Sequence, residues 1–376
     1  MISVYDNIKE DCSGCLACKN ICPVKAINVT KDNLEFNYPI IDQDKCIDCL
    51  LCKKVCPLVK DMHLSNIKIY NDTTNELYAC KSNSNDVLKQ STSGGMFTSL
   101  SDYFINTNNV VYGVIFDDNY NVIHARATTK QQRDKMRFSK YVQTDLDKIY
   151  PAIKEDLNND KLVLFTGTPC QCAGIKSYFS IHPKYSNLYI VDVICHSIPS
   201  PKFFKDYKKL IEDEHSGKIQ HLQFRSKKYP WLRTNSNKGF LYTINNKTYE
   251  DGRFFKIFTL APYAVRDSCF NCQFTSLNRV SDITIADYWG IEDFDTSLYD
   301  PLGVSSLFVN NTKGLKLFNL INSTIQYNKR NIQEQLATQK RLSTCSIRPD
   351  DQTDFLNIYF NKGIKAAFNY LENKKQ

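Results

Sequence analysis

The sequence lacks the features that would place the chain in a membrane or direct it out of the cell. None of its apolar runs approaches the roughly 18 residues that a membrane-spanning helix requires. Residues 1–6 contain neither the basic region nor the apolar region of a secretory leader. These absences predict a cytoplasmic protein with no membrane span.

Dense basic blocks are also missing, although the formal net charge is +8. Surfaces that bind nucleic acids usually combine clustered Lys and Arg with aromatic side chains. This chain has only short pairs, such as Lys53-Lys54 and Lys208-Lys209, which are typical of solvated faces. The sequence therefore predicts no nucleic-acid partner.

Cysteine, in contrast, is abundant: the chain has 15, and two runs of the same spacing hold eight of them. Each run follows the pattern C-x2-C-x2-C-x3-C-P. The first consists of Cys12, Cys15, Cys18, Cys22 and Pro23, and the second of Cys46, Cys49, Cys52, Cys56 and Pro57. This is the spacing with which bacterial ferredoxins hold a pair of 4Fe-4S clusters.

Two other uses of cysteine fit the runs less well. Zinc sites usually take paired C-x2-C units with four ligands to a metal ion, not a repeated triple followed by C-P. Disulfides need an oxidising compartment, and the sequence shows no leader that would take the chain to one. The runs therefore predict iron–sulfur clusters.

The ligands of the two clusters follow from the ferredoxin pattern, in which the fourth cysteine of each run binds the other cluster. We expect one cluster on Cys12, Cys15, Cys18 and Cys56, and the other on Cys46, Cys49, Cys52 and Cys22. Pro23 and Pro57 fix the backbone after the last ligand of each run and turn the chain away.

The rest of the chain has the pattern of an α/β domain. Strands are predicted at 110–116, 162–165 and 188–195, and helices at 96–104, 145–157 and 170–180, an alternation typical of βαβ units. Short strands are predicted near 219–225 and 240–250.

The fold class is therefore α+β: a small ferredoxin-like two-cluster domain, a mixed α/β domain and a helical C-terminal region. The predicted boundaries are 1–60 for the ferredoxin domain, 61–76 for a linker, 77–200 and 201–320 for the two parts of the α/β domain, and 321–376 for a helical tail.

Several later segments could carry chemistry. The loop Ser93-Gly94-Gly95 precedes a helix and could bind an anion through its backbone NH groups. Thr166-Gly167-Thr168-Pro169 leaves a strand end, where α/β sheets place ligands. The thiols of Cys170, Cys195, Cys269 and Cys272 could together hold a third cluster, or could be buried small apolar groups.

Six ordered motifs make the chain resemble the coenzyme F420 hydrogenase/dehydrogenase beta-subunit family, from about residue 77 to 320. They are Ser93-Gly94-Gly95, Ser139-Lys140-Tyr141-Val142-Gln143, Gly167-Thr168-Pro169-Cys170-Gln171, Cys195-His196-x-x-Pro199-Ser200-Pro201, Arg266-x-x-Cys269-x-x-Cys272 and Ser281-Asp282-x4-Asp287-x-Trp289-Gly290. The ferredoxin run is fused in front of this region, an arrangement known in bacterial members of the family.

The resemblance implies a flavin, usually FAD, and a 4Fe-4S cluster within the α/β domain, held by Cys170, Cys195, Cys269 and Cys272. The flavin would lie against Ser93, Gly94 and Gly95, against Lys140, Tyr141 and Gln143, and against Gly167, Thr168 and Pro169.

A lysine near the flavin ring would stabilise its anionic reduced form, and Lys140 is the candidate. His196 is a candidate proton donor, with a satisfied core histidine as the alternative. Asp282, Asp287 and Trp289 are expected to fix the fold around the Cys269 loop.

The chain departs from the family pattern at two positions. Ser197 stands where a glycine usually follows Cys-His, and Cys172 stands where the family usually has an apolar residue. Cys172 is therefore a competing candidate ligand. Cys80 and Cys345 fit no pattern and are expected to be structural.

These features predict an iron–sulfur flavoprotein oxidoreductase, because a flavin exchanges single electrons with clusters and electron pairs with organic partners. The expected partners are coenzyme F420, ferredoxin or another redox protein, or an organic substrate; a homo-oligomer is compatible with the sequence. The alternative is an electron-transfer subunit, without a substrate of its own, that docks on a larger enzyme. A nucleic-acid-binding iron–sulfur protein is the least favoured interpretation.

Overall fold

The computed structural model describes residues 10–58, 70–71, 76–232 and 239–374. Most of the predicted 61–76 linker, and residues 1–6 at the start of the chain, lie outside these described residues. At the end of the linker, Asn71 donates from its side chain to the Ser281 carbonyl at 2.7 Å, and the Tyr70 hydroxyl donates to the Gln273 carbonyl at 2.8 Å.

The described residues form thirteen strands and thirteen α-helices. The strands are β1 (Ile27–Lys31), β2 (Asn37–Ile41), β3 (Glu76–Ser82), β4 (Val110–Phe116), β5 (Val122–Ala127), β6 (Val163–Gly167), β7 (Leu188–Val193), β8 (Ile219–Gln223), β9 (Leu241–Ile244), β10 (Lys247–Glu250), β11 (Ile283–Asp287), β12 (Ser305–Val309) and β13 (Ile325–Arg330).

The helices are α1 (Ala17–Ile21), α2 (Leu51–Lys54), α3 (Asn85–Lys89), α4 (Met96–Asn106), α5 (Lys130–Asp134), α6 (Ile149–Asn158), α7 (Pro169–Phe179), α8 (Pro201–Glu214), α9 (Arg253–Phe255), α10 (Ile291–Phe294), α11 (Thr312–Ile321), α12 (Ile332–Thr338) and α13 (Gln352–Asn373). Among the described residues, no helix is both long enough and apolar enough to cross a membrane.

The ferredoxin region repeats one local structure. In each half a leucine, Leu16 or Leu50, adopts a left-handed backbone directly before a short helix, α1 or α2. The strands β1 and β2 pair as an antiparallel hairpin. The doubled cysteine spacing therefore folds into a doubled helix turn, with one strand contributed by each half.

The main sheet has eight strands in the order β13-β3-β12-β11-β7-β6-β4-β5. The strands β4, β6, β7 and β11 are parallel, and β3 runs in the same direction because it is antiparallel to β12, which is antiparallel to β11. The carboxyl ends of these five strands therefore share one edge of the sheet, the carboxyl edge. A second antiparallel sheet has the order β10-β9-β8.

Both faces of the main sheet are covered, which explains its apolar strands. Successive residues of β4 alternate between the two faces: Val110 and Tyr112 belong to one core cluster, and Val111 to the other. Helices α4 and α11 supply the smaller cluster on one face. Helices α6, α7 and α8 supply the larger cluster on the other face, and the ferredoxin side chains Phe36, Tyr38 and Val55 belong to it. The ferredoxin domain thus shares a continuous core with the α/β domain.

The mixed α/β architecture and the helical C-terminus agree with the predicted fold class. One correction concerns the segment 321–376, predicted to be a helical tail: it contains β13, which pairs with β3 at the edge of the main sheet. Only Ile325 is buried in this strand, so its sequence shows no apolar alternation. The tail also contains α12 and α13; the domain boundaries themselves stay predictions.

A glycine of α7 allows the ferredoxin domain to pack closely. A Cβ atom on Gly174 would lie 2.7 Å from Cys15 Cβ and 2.8 Å from Cys15 Sγ. The Tyr150 hydroxyl donates to the Cys15 carbonyl at 2.9 Å and fixes the same loop. At this position of α7, therefore, only glycine leaves room for the cysteine loop.

The substitution Gly174→Ala tests this packing, because the contact predicts whether the free energy of unfolding rises or falls. In an exposed helix the change would stabilise by about 1 kcal/mol. Here the overlap with Cys15 reverses the sign, and we expect the free energy of unfolding to fall by about 1–3 kcal/mol. Urea denaturation of the two proteins measures the difference; an unchanged or increased stability of the variant would contradict the contact.

Candidate metal centres and cofactor site

Three cavities among the described residues are lined by cysteines. The outer cavity is bordered by Cys22, Cys46, Cys49 and Cys52. The middle cavity is bordered by Cys12, Cys15, Cys18, Cys52 and Cys56. The inner cavity is bordered by Cys170, Cys195, Cys269 and Cys272. With their openings to solvent they measure about 330, 540 and 600 Å³.

The cysteines are grouped as the sequence predicts. Each cavity contains one complete predicted set of four, and the crossing of Cys22 and Cys56 to the opposite run is present. Cys52, a member of the outer set, also borders the middle cavity and is the only cysteine there outside the predicted set. The inner set comes from separate parts of the chain: Cys170 lies in the first turn of α7, Cys195 follows β7, and Cys269 and Cys272 lie in the loop before β11.

The cavities lie in a row because neighbouring ones share walls. Ile27, Ile41 and Cys52 border both the outer and the middle cavity. Ser13 and Leu58 border both the middle and the inner cavity. The order outer, middle, inner leads from the exposed Cys49 of the ferredoxin domain to the carboxyl edge of the main sheet.

The thiols of each set lie close enough to influence one another. Burial, followed by the neighbouring Cys56, raises the pKa of Cys15 to about 12. Burial also raises the pKa of Cys195 well above its ordinary value, and Cys269, Cys170 and Cys272 add to the effect. Four thiolates in such a place would repel each other without a positive partner, so the sets fit a metal centre that supplies positive charge.

The spacing of the cysteines differs from that of a single-ion site. Among the described residues, no group of three or more His, Cys, Asp or Glu side chains converges on one metal ion. The four thiols of each set instead border a common cavity. This arrangement fits a polynuclear cluster better than a tetrahedral zinc ion.

Hydrogen bonds to sulfur occur in two of the sets. The Ile198 amide donates to Cys269 Sγ at 3.3 Å, and the Ala26 amide donates to Cys22 Sγ at 3.2 Å. Thr168 Oγ1 lies 3.3 Å from Cys170 Sγ. Such donors stabilise thiolate ligands and tune the potentials of iron–sulfur clusters.

The remaining cysteines have other contacts. Cys172 is fully buried, its thiol faces the Val191 carbonyl at 3.5 Å, and it does not border the inner cavity. Cys345 donates to the Phe270 carbonyl at 3.2 Å. Cys80 is buried within β3. The arrangement favours Cys170 over Cys172 as the ligand.

The predicted flavin-binding segments gather at the carboxyl edge. The loop before α4 meets the Lys140 segment through the Ser139 amide, which donates to Thr92 Oγ1 at 3.0 Å. Ser93 donates to the Val304 carbonyl at 2.7 Å, and the Gly94 amide donates to Ser305 Oγ at 2.9 Å, so both are already engaged. Gly95 has a φ of +86° and begins α4 without a side-chain cap, which leaves that helix terminus open to an anion.

Lys140 lies beside this loop. Its Nζ donates to the carbonyls of Arg137 and Phe138 at 2.9 and 3.1 Å and lies 5.5 Å from the centre of the Phe116 ring. Burial lowers the pKa of Lys140 to about 7. Lys227, which donates to the Thr92 carbonyl at 3.1 Å, is a second cation here, and burial lowers its pKa to about 8. These donors fit an anionic group at the edge.

Two predicted flavin contacts take other roles. Gln143 donates to the Ser13 carbonyl at 2.9 Å and accepts from Arg266 Nη1 at 2.9 Å, so it joins the two domains. This corrects the expectation that Gln143 faces a flavin; its type and position in the segment could not show which way it points. Tyr141 packs its ring against Phe224, Phe255 and Phe258.

The Gly167-Thr168-Pro169 turn forms the start of α7. Pro169 occupies the first helical position, and the Thr168 amide donates to Gln171 Oε1 at 3.1 Å. A Cβ on Gly167 would lie 3.0 Å from the Phe165 ring. The turn therefore places Cys170 at the inner cavity, and its glycine is explained by packing alone.

His196 borders the inner cavity, and its main-chain carbonyl accepts from Ser346 Oγ at 2.7 Å. The surrounding protein and then the charge of Arg341 lower the pKa of His196 to about 4. His196 is itself exposed, and the lowered pKa favours the neutral form of its ring.

Asp282, Asp287 and Trp289 have structural roles, but away from the Cys269 loop. Asp282 accepts from the Ile190 amide at 2.8 Å. Asp287 pairs with Arg225 at 2.6 Å and accepts from Trp231 Nε1 at 3.1 Å. Trp289 stacks on Trp231 with 4.8 Å between ring centroids.

Three arginines near the inner cavity have roles that sequence reasoning missed. Arg279 and Arg341 border this cavity, and Arg279 forms a buried ion pair with Asp192 at 2.9 Å. Arg266 bridges the inner-cavity segment to the ferredoxin loop. Arg266 stands in a recognised motif, but no pattern in the sequence shows that a charged side chain is buried.

Two family models match the chain. Residues 160–335 match the model for the C-terminal region of the beta subunit of coenzyme F420 hydrogenase/dehydrogenase, and residues 11–59 match the model for the 4Fe-4S dicluster domain. No curated protein matches the chain. A solved structure of the F420-reducing NiFe hydrogenase complex from Methanosarcina barkeri, derivatised with xenon, aligns with a TM-score of 0.48 and 14% identity over 79% of this chain and 95% of that one. The chain thus contains, over residues 160–335, the C-terminal region found in the beta subunit of coenzyme F420 hydrogenase/dehydrogenase and carries a 4Fe-4S dicluster domain ahead of it.

Proposed function

We propose that the protein is an iron–sulfur flavoprotein oxidoreductase that moves electrons between three 4Fe-4S clusters and a flavin, and on to or from coenzyme F420, ferredoxin or an organic substrate. The family and the dicluster domain support a redox role. The observation that carries the rest is the row of three cysteine-lined cavities with shared walls.

The ligands in this proposal are the twelve cysteines that line the cavities in sets of four. The outer and middle sets belong to the ferredoxin domain, and the inner set to the α/β domain. Electrostatic interaction of Cys195 with the other three inner thiols supports their use as one ligand set. Neighbouring cavities share wall residues, which suits electron transfer over short distances.

The flavin, with FAD as the expected form, is proposed at the carboxyl edge. The open terminus of α4, Lys140 and Lys227 would hold its negatively charged groups. When bound, a flavin links the single electrons of clusters to the electron pairs of organic molecules. None of the three cysteine-lined cavities includes Lys140 or the Ser93 loop, so the proposed flavin site is separate from the cluster sites.

Lys140 is the residue proposed to stabilise negative charge on a reduced flavin ring. Because its Nζ is held by main-chain carbonyls, a new acceptor can replace one of them with a small rotation of the side chain. His196 is proposed as a proton carrier at the inner cavity, where its ring takes up a proton only when a negative group is formed nearby.

A second candidate function is an electron-transfer subunit without a substrate of its own. The surface at the outer cavity favours it: Ile47 is 60% exposed and Leu50 43% exposed, beside the exposed Cys49. Both side chains border the outer cavity. An apolar surface over a redox centre is what a docked partner would cover.

The composition of anaerobically purified protein tests the main proposal. We expect about twelve irons and one flavin per chain, and the variant Cys12→Ala should lose about four irons and keep its flavin. Cys80→Ala is the control, because this buried cysteine borders none of the three cavities, and its iron content should not change. About eight irons and no flavin in the unaltered protein would favour the electron-transfer subunit.

The paired variants Cys170→Ala and Cys172→Ala test the ligand choice at the inner cavity. Cys170→Ala should lose about four irons, because its thiol borders the cavity. Cys172→Ala should keep its iron and lose only a little stability, because its thiol faces the Val191 carbonyl. The opposite pattern would make Cys172 the ligand, and full iron in both would show that neither thiol binds the cluster.

The pKa of Lys140 predicts how the flavin potential varies with pH. Its pKa is lowered to about 7, so the positive charge is present at pH 6 and is lost as the pH rises through 7. The charge favours the anionic reduced flavin, so Lys140→Met should lower the flavin potential at pH 6 and have little effect at pH 8.5.

Spectroelectrochemical titration at the two pH values measures this difference. Lys135→Met, which removes an exposed charge from the same segment, is the control and should follow the unaltered protein at both. An equal effect of Lys140→Met at pH 6 and pH 8.5 would rule out a role for its titration.

A further inference from the structure

Arg266 is a fully buried cation between the ferredoxin loop and the segment that carries Cys269. Its guanidinium donates three hydrogen bonds, one to each of three separate segments. Nε donates to the Cys12 carbonyl at 2.7 Å, Nη1 to Gln143 Oε1 at 2.9 Å, and Nη2 to the Asn37 carbonyl at 2.9 Å. Its position is therefore fixed from both domains.

The surroundings of the guanidinium are neutral. Its carbon lies 4.2 Å from the centre of the Tyr38 ring and 5.4 Å from the centre of the Phe36 ring. Gly14, with a φ of +68°, provides the space, because a Cβ there would lie 2.9 Å from Arg266 Nη1. Oxygen dipoles and aromatic faces solvate the charge, but none of them carries a negative charge to balance it.

No carboxylate within the described ranges forms an ion pair with Arg266. Asp32 and Asp267 are near enough to feel its charge. Asp32, however, accepts from the amides of Leu34 and Phe36, and Asp267 pairs with Arg348. A buried cation without a counter-charge is strongly unfavourable, so the balancing charge must come from another group.

The middle and inner cavities are the places where such a charge fits. Arg266 bonds to the carbonyl of Cys12, which lines the middle cavity, and lies three residues before Cys269, which lines the inner one. The charge of Arg266 also favours the thiolate forms of Cys170 and Cys269. A cluster with four thiolates has a net negative charge and would supply the counter-ion on either side.

We propose that Arg266 is a positioning residue shared by the middle and inner clusters, which balances their negative charge and raises their reduction potentials. This inference rests on the proposed function. On reduction by a reduced ferredoxin or another one-electron donor, each cluster core would gain the one electron that the donor loses and pass from the 2+ to the 1+ state. The reduced form is the more negative, so a fixed cation stabilises it. None of the described contacts of Arg266 reaches a cysteine of the outer cavity, whose cluster should be unaffected.

Redox titration of the holoprotein, followed by electron paramagnetic resonance, tests the inference. In Arg266→Gln the reduction equilibria of the middle and inner clusters should become at least tenfold less favourable, which corresponds to about 59 mV for a one-electron couple. The outer cluster is an internal control and should keep its potential. Arg266→Lys keeps the positive charge but loses the branched guanidinium group. In this variant the two potentials should return most of the way to those of the unaltered protein.

A second variant tests the charge with Arg266 in place. Gln143→Glu sets a carboxylate against Arg266 Nη1 at nearly unchanged size, so it should lower the same two potentials and leave the outer one. If Arg266→Gln loses iron, the test is decided by Gln143→Glu instead. Unchanged middle and inner potentials in Gln143→Glu would overturn the inference. Full iron and three unchanged potentials in Arg266→Gln, or an equal shift of all three, would also overturn it.

The iron content of the unaltered protein distinguishes a failure of the proposed function from a failure of the role proposed for Arg266. Absence of the middle and inner clusters from it would overturn the proposed function, and this inference with it. Their presence with unshifted potentials in the variants would overturn the role of Arg266 alone.

Discussion

The contact of Cys15 with Gly174 is the constraint on which the arrangement of the centres depends. Helix α7 begins at Pro169, so Cys170 lies in its first turn and Gly174 one turn later on the same face. Four residues of α-helix advance about 6 Å along the axis. The same face of α7 therefore borders the inner cavity at Cys170 and receives the middle-cavity loop at Gly174, and the helix sets the spacing between the two sets of thiols.

The α/β sheet supplies the other half of this geometry. Parallel strands bring their carboxyl ends to one edge, so segments far apart in the sequence meet there. Cys170 follows β6, Cys195 follows β7, and β6 pairs directly with β7. The Ser93 loop follows β3 and α3, and the Lys140 segment, which follows α5, meets it at the same edge. The sheet thus brings Cys170 and Cys195 together without any local sequence motif that joins them.

The difference between local and distant information explains which features could be predicted. The eight ferredoxin cysteines were predictable because each run places three thiols within one loop, and the cavities contain those sets. The inner set needed the family resemblance, because up to about a hundred residues separate its members. Gln143 was expected to face a flavin because a motif specifies the residue type but not the direction in which the side chain points. β13 was missed because an exposed edge strand carries too few apolar residues to show a period of two.

The walls of the three cavities differ in charge, and this difference would affect the reduction potentials of clusters held in them. The outer cavity is bordered by apolar side chains and cysteines alone. The middle cavity has Arg266 hydrogen-bonded to the Cys12 carbonyl behind it. The inner cavity has Arg266 behind Cys269 and is bordered by Arg279, Arg341 and Asp11. Asp192 offsets Arg279, but among the described residues no carboxylate pairs with Arg266 or Arg341. The middle and inner cavities therefore both adjoin the buried charge of Arg266, which the outer cavity lacks, and because a cation stabilises the more negative reduced state, clusters held there would be easier to reduce than one in the outer cavity.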